Sequence, residues 1–178
     1  MRIDSRGWQM ARGTQIDLPL RKWLFQDWGV NAWNSRFVLF NFRATQYLYA
    51  RAGLLGRLWA IGYRLVTSLV LTVELPPELS AGPRLRSFHP HGIVIHGAAV
   101  LGADCLLRQN VTIGAITRRN GQDTAAPTIG SGVEFGANCV VVGKTRIGDR
   151  ARIAALALVT VDVPEGATAS GNPASVRA

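Results

Sequence analysis

This sequence offers little for redox or metal chemistry. It has two cysteines, Cys105 and Cys139, and three histidines, His89, His91 and His96. The cysteines lack a metal-ligand spacing and are too few for a disulfide framework. Both read as buried core thiols, and no metal is expected. Acidic residues are also scarce: 11 Asp and Glu stand against 20 Lys and Arg, a formal net charge of +9. The basic residues are scattered and no nucleic-acid module accompanies them, which argues against nucleic acid. An anionic small molecule, an acidic glycan or a lipid headgroup fits the same charge. There is no Walker-type or dinucleotide-type glycine motif. The N-terminus lacks the charged, apolar and small-residue order of a signal peptide, so a cytoplasmic protein is the expectation. The most apolar stretch, Leu54 to Leu71, is short and carries Arg57 and Arg64. Each would cost roughly 2.5 kcal/mol or more at a bilayer centre, which argues against a transmembrane span.

What is present is a period of six. From Ile95, the first position of each hexad falls on Leu101, Leu107 and Ile113, then on Ile129, Phe135, Val141, Ile147, Ile153 and Val159. The fifth position is small or β-branched: Ala99, Cys105, Val111, Val133, Cys139, Thr145, Ala151, Ala157 and Val163. An amphipathic helix would space apolar residues by three and four. A strict six is the hexapeptide β-helix repeat, in which each hexad is a short strand plus a turn and three hexads close a triangular coil. Each coil buries its apolar side by stacking on the next. About ten hexads predict three to four coils. Glycine at position two, as in Leu101-Gly102 and Ile147-Gly148, is expected to accept backbone angles that a Cβ would penalise.

Two regions follow. Residues 1–75 read as an N-terminal helical region, with residues 1–17 polar and without a clear order. Phe37 to Arg51 forms one helix, a break comes at Gly53 and Gly56, and Leu54 to Leu71 forms a second. These helices are expected to cap the open edge of the first coil, which would otherwise invite strand pairing. Their Trp, Tyr, Phe and Arg content is also that of interfacial helices. Pro76-Pro77 is expected to end the helical part, and residues 76–178 read as the β-helix. Pro83 to Phe88 is a degenerate hexad, residues 115–127 break the period as a protruding loop, and Pro164-Glu165-Gly166 turns the chain out.

Three ordered elements carry a resemblance: His89-Pro90-His91-Gly92-Ile93-Val94, Val111-Thr112-Ile113-Gly114 and Gly171-Asn172-Pro173-Ala174. They resemble the serine O-acetyltransferase branch of the hexapeptide acyltransferases, and more closely its colanic-acid-type polysaccharide O-acetyltransferases. The likeness covers residues 72–175. It implies a left-handed winding, a homotrimer or a dimer of trimers, and acetyl-CoA as co-substrate. Transfer of acetyl to a hydroxyl needs a base, and His is suited to it near neutral pH. The resemblance assigns that role to His89, with His91 as runner-up and His96 a coil-surface residue. It places a carboxylate fifteen residues earlier, at Glu74, to orient the imidazole. It places acetyl-CoA along Gly114, Ala137, Gly171, Asn172, Pro173 and Ala174, with Arg118, Arg119 and Lys144 as candidates for its phosphates.

Two departures bear on the acceptor. Serine acetyltransferases carry an Asp before the base, where this chain has Phe88, and a His before a Pro at the loop's end, where it has Ala126. A site for free serine must pair an ammonium and a carboxylate, and losing those partners removes the selectivity. An aromatic ring suits the C–H face of a sugar. The expectation is therefore a sugar or polysaccharide O-acetyltransferase, with serine O-acetyltransferase and a non-catalytic hexapeptide scaffold as alternatives. The chain ends Val176-Arg177-Ala178 without the tail by which serine acetyltransferases dock cysteine synthase, so no such complex is expected. The site is expected in the cytoplasm or at the inner face of its membrane.

Overall fold

The computed structural model describes Ile16 and residues 18–177, so the N-terminal segment of unclear order lies outside the described residues. From Val73 onward the hexads wind into a left-handed parallel β-helix of about five turns, more than the three to four predicted from the regular hexads. Its three faces recur in chain order. Face A stacks Glu74, Val94–Ile95, Thr112–Gly114, Val140–Val142 and Leu158–Val159. Face B stacks Ser80–Ala81, Val100–Leu101, Thr128–Ile129 and Arg146–Ile147. Face C stacks Arg86–Ser87, Leu106–Leu107, Glu134–Phe135, Arg152–Ile153 and Thr168–Ser170. The extra turns come from segments whose hexads are irregular. Leu75, Leu79 and Leu85 are buried in a first coil two residues out of phase with the rest. Pro164-Glu165-Gly166 is a further corner, with the Gly166 N–H bonded to the Asp149 carbonyl, so the chain continues there instead of leaving. Ser175–Arg177 then folds back antiparallel on Thr168–Ser170 and closes that end.

Inside the prism, like side chains stack in register. Ile95, Ile113, Val141 and Val159 form one column, and Leu101, Ile129 and Ile147 another, all buried. The position-two glycines serve a different purpose from the one expected. They do not hold positive φ; a Cβ on Gly102 would sit 2.6 Å from the backbone of Gly130 and Ser131 in the next coil. Gly102, Gly130, Gly136 and Gly148 are glycine because coils meet backbone to backbone there. The left-handed conformation falls at position four instead, on Arg84, Asp104, Asn110, Asn138, Arg150 and Leu156. Asn and Asp tolerate it better than most residues.

The helical region is α1 (Leu20–Phe25), α2 (Trp33–Arg51) and α3 (Gly53–Val66), the last widening into a π-helical turn over Thr67–Leu71. The chain breaks at Gly53, φ +54°, but Gly56 lies within α3, where a Cβ would collide with the Leu48 backbone of α2. The helical part ends at Thr72, φ +53°, and Val73 and Leu75 already belong to the prism's core. Pro76-Pro77 is the first corner, so the boundary lies a few residues before the one predicted.

As expected, the helices close the first coil, and they do so with polar side chains that the sequence analysis did not single out. Arg43 donates to the carbonyls of Ala81 and Gly82 at 2.9 and 2.7 Å. Gln46 donates to Leu79 O at 2.7 Å. Asp27 accepts the Leu85 N–H, Asn31 bridges Leu85 O and Ser87 N, and Ser35 donates to Ser87 O. An open strand edge is thereby hydrogen-bonded without another strand.

Candidate active site

Two edges of the prism hold the candidate residues. The edge between faces C and A begins with Phe88 to Gly92. Here two extra residues enter between Ser87 and Ile95, eight apart where other coils use six, and both Ser87 and Ile95 still point inward. The expansion pushes His89 out at φ +55° and leaves it exposed, while Pro90 is buried. His91 is exposed beside it, and its carbonyl accepts the Asn110 N–H. The edge then climbs coil by coil. Asn138 N bonds Gln109 O, Leu156 N bonds Ala137 O, and Leu158 N bonds Gly171 O, beyond which Asn172 and Pro173 are exposed and Ala174 packs on the core. His89, His91, Ala137 and Gly171 to Ala174 therefore share one edge.

The edge between faces A and B holds the others. Gly143 N bonds Gly114 O, Lys144 follows exposed, and residues 115–127 leave the same corner. That excursion is an ordered hairpin: Thr117 and Asp123 face each other antiparallel, and Thr117 Oγ1 donates to Asp123 Oδ1 at 2.6 Å. Arg118 and Arg119 are exposed at its turn, and Ala126 packs back on the core. A Cβ on Gly114 would meet nothing within 4 Å. Coil stacking does not require this glycine, which borders the open space of the A/B edge. The candidate co-substrate residues are thus divided between two edges of one chain, which sequence spacing did not reveal.

The expected pairing of Glu74 with His89 is not formed. Among the described residues, no hydrogen bond or ion pair joins His89 to a side chain. The reason is register. Glu74 sits in face A beneath Val94, with its N–H on Ile93 O and its carbonyl accepting from Ile95 N, while His89 stands at the corner before that strand. Glu74 instead lines a cleft of about 590 Å³ between α3 and the A/B edge, shared with Tyr63, Glu78, His96 and Gly114. Arg64 reaches Glu78 there at 2.5 Å. His96 is an exposed surface residue, but one that borders this cleft. Its Nδ1 accepts the Ala98 N–H at 3.1 Å, which leaves Nε2 to carry the proton of the neutral ring.

One residue at the His89 edge escaped the sequence analysis. The Arg108 guanidinium lies 5.7 Å from the centroid of the exposed Phe88 ring. No sequence signal marked it, because it is one basic residue among many; stacking of adjacent coils alone brings it to Phe88. The cysteines are inert. Burial pushes the Cys105 thiol up to about 11 and the Cys139 thiol up to about 12, so neither supplies a thiolate nucleophile near neutral pH.

No family model matches the chain. It is 29% identical over 162 residues to the "Putative colanic acid biosynthesis acetyltransferase WcaB" of Escherichia coli K12, covering 86% of this chain and 98% of that protein. It is 34% identical over 135 residues to a serine acetyltransferase of Synechococcus elongatus, covering 75% of this chain and 53% of that one. The chain thus spans about half the length of that serine acetyltransferase. Among solved structures, soybean serine acetyltransferase apoenzyme superposes with a TM-score of 0.77 at 26% identity, over 89% of this chain and 69% of its own. A serine acetyltransferase in complex with CoA gives 0.70 at 27% identity, over 82% and 57%.

Proposed function

The chain belongs to the hexapeptide-repeat acyltransferases, in the branch that holds the serine acetyltransferases, and we propose that it transfers acetyl from acetyl-CoA to a hydroxyl of a sugar or polysaccharide. That it is an acetyltransferase using an acyl-CoA follows from its relatives. The sugar as acceptor is our reading. The observation that carries it is the neighbourhood of His89: an exposed Phe88 ring under the Arg108 guanidinium, where free serine would need a carboxylate for its ammonium. A ring stacks on the C–H face of a sugar, and Arg108 suits an acidic one. The near-complete span of the colanic acid relative supports the same reading.

His89 acts as general base. It removes the proton from the acceptor hydroxyl; the oxygen attacks the thioester carbonyl, and a tetrahedral oxyanion forms beside backbone N–H groups of the edge. The oxyanion collapses, the carbon–sulfur bond breaks, and the imidazolium returns its proton to the CoA thiolate. Atoms and charge balance without a covalent enzyme intermediate or a metal.

The site is completed between copies of the chain in a homotrimer, alone or paired. The His89 edge of one copy faces the edge of its neighbour that carries Gly114, Lys144 and the Arg118-Arg119 hairpin. What supports this is the division of the candidate residues between two edges of one prism, with the His89 imidazole left without an orienting partner among the described residues.

The test is release of CoA thiol from acetyl-CoA with free serine and with a panel of sugars and glycans, for the wild type and His89→Asn. Asn tolerates the left-handed backbone at this corner, so fold is preserved. The expected result is turnover with a glycan, reduced by about 10²-fold or more in the variant. Turnover with serine alone would overturn the acceptor. Failure to bind CoA by calorimetry would instead mark a non-catalytic scaffold.

A further inference from the structure

Helix α3 is amphipathic in an inverted sense. Gly56, Ala60, Tyr63 and Thr67 face inward. Leu54, Leu58, Ile61, Leu65 and Leu69 line one exposed stripe, and Leu55, Trp59, Val66 and Val70 the next. At 100° per residue, these two stripes span about half the circumference. Leu69 is 77% exposed and Leu55 74%, values that a water-facing helix does not favour across so many neighbours. A groove of about 420 Å³ continues the surface between α2 and α3, lined by Phe37, Leu58, Trp59, Val66 and Leu71. With its π turn the helix runs 19 residues, Gly53–Leu71, at mean hydropathy 1.3, long and apolar enough to cross a bilayer by length and composition. Its inward face is already taken by protein, however, and that geometry suits lying on a membrane.

Charge decides what covers this face. No acidic residue occurs between Asp27 and Glu74, whereas Arg36, Arg43, Arg51, Arg57 and Arg64 do. Asp27 is buried against Arg43. Arg57 and Arg64 lie one above the other along the flank of the apolar stripe; Arg64 is held by Glu78 of the first coil, while Arg57 is exposed, so its stem can run over apolar surface and its head reach the headgroups. A second copy of this surface would bring like charges together. An anionic lipid surface would meet both the apolar stripe and its basic flank.

We propose that the exposed face of α3, with the groove it shares with α2, docks in the plane of an anionic membrane. The face ends at the candidate site. Thr72, which terminates the helix, accepts the Gly92 N–H on its Oγ1 at 3.2 Å, within the His89 to Gly92 corner. Docking therefore carries that corner to the bilayer, where a lipid-linked glycan would present its hydroxyls. This last consequence, unlike the docking, rests on the acetyl-transfer reading.

The test is flotation of the full chain with vesicles of phosphatidylcholine and phosphatidylglycerol, compared with phosphatidylcholine alone, at low and physiological salt. The expected result is flotation with the anionic vesicles, weakened by salt and reduced by about tenfold or more in Leu58→Glu/Leu65→Glu. Both residues are exposed, so the fold should survive. A check that needs no variant is quenching of wild-type tryptophan emission by brominated lipid, since Trp59 lies on the face and Trp33 is one helical turn before Phe37. A wild type that stays out of the vesicle fraction would overturn the proposal, as would a variant that floats equally well. A variant that leaves flotation absent but breaks a larger assembly by light scattering would identify the face as a protein interface and also overturn it. CoA release with a water-soluble acceptor should be unchanged in the variant, which separates failure of docking from failure of the enzymatic reading.

Discussion

Arg43 Nε donates to Asp27 Oδ2 at 2.7 Å, and neither side chain is open to water. The pair sits between α2 and the first coil, and both members also bond the coil's backbone. Removing one partner leaves a buried charge without compensation and frees backbone groups that no strand can satisfy. Arg43→Met should therefore lose about 3–5 kcal/mol, and Asp27→Leu a similar amount. Urea unfolding checks both. The double variant should lose less than the sum of the singles, because each single already breaks the shared pair.

Gly136 and Gly114 should respond oppositely to alanine. A Cβ at Gly136 would be driven into the Ala154-Ala155 backbone of the next coil, whereas one at Gly114 meets open space. Gly136→Ala should destabilise by about 1–3 kcal/mol, as overpacking does. Gly114→Ala should leave the melting temperature nearly unchanged and raise KM for acetyl-CoA, since the added Cβ enters open space on the edge where we propose that acetyl-CoA lies. Calorimetry and steady-state kinetics on the two variants separate these roles.

Thr145 occupies an inward corner, and its Oγ1 is buried without a hydrogen-bond partner. Thr145→Val keeps the shape and removes the unsatisfied hydroxyl. It should stabilise the fold by about 1 kcal/mol, measured by denaturant midpoint.

The two cysteines give a pH signature. Burial raises both thiols above their ordinary 9.0, so the folded state retains protons that the unfolded state has released. Stability from this source is fully present below about pH 9 and is lost as pH rises toward 11–12. The melting temperature should fall across that window, and Cys105→Ala/Cys139→Ala should flatten the fall. Neither thiol should react with iodoacetamide at pH 8 until the protein unfolds.

The period of six determined the β-helix, because inward stacking is a local rule applied at every coil: a large residue at position one, a small one at position five. The ordered motifs placed His89, Gly114 and Gly171 to Ala174 on such coils. Outside the regular hexads, the sequence was less legible. Leu79, Leu85 and Ser87 are inward residues in a shifted phase, and only their stacking on the second coil reveals it. The glycine rule was read as backbone freedom, but distance to the neighbouring coil explains it.

Tertiary structure alone decided the rest. The resemblance implied that Glu74 and His89 meet, yet Glu74 lies in face A beneath Val94 while His89 stands at the expanded corner before that strand. The cap of Asp27, Asn31, Ser35, Arg43 and Gln46 was invisible, since scattered polar residues acquire meaning only when a strand edge lies opposite them. Arg108 met Phe88 through coil stacking, not through sequence proximity. Periodic, local packing can be read from the chain because each hexad repeats its own instruction. Pairings across a corner or between helix and coil cannot, because they depend on where the whole chain has already gone.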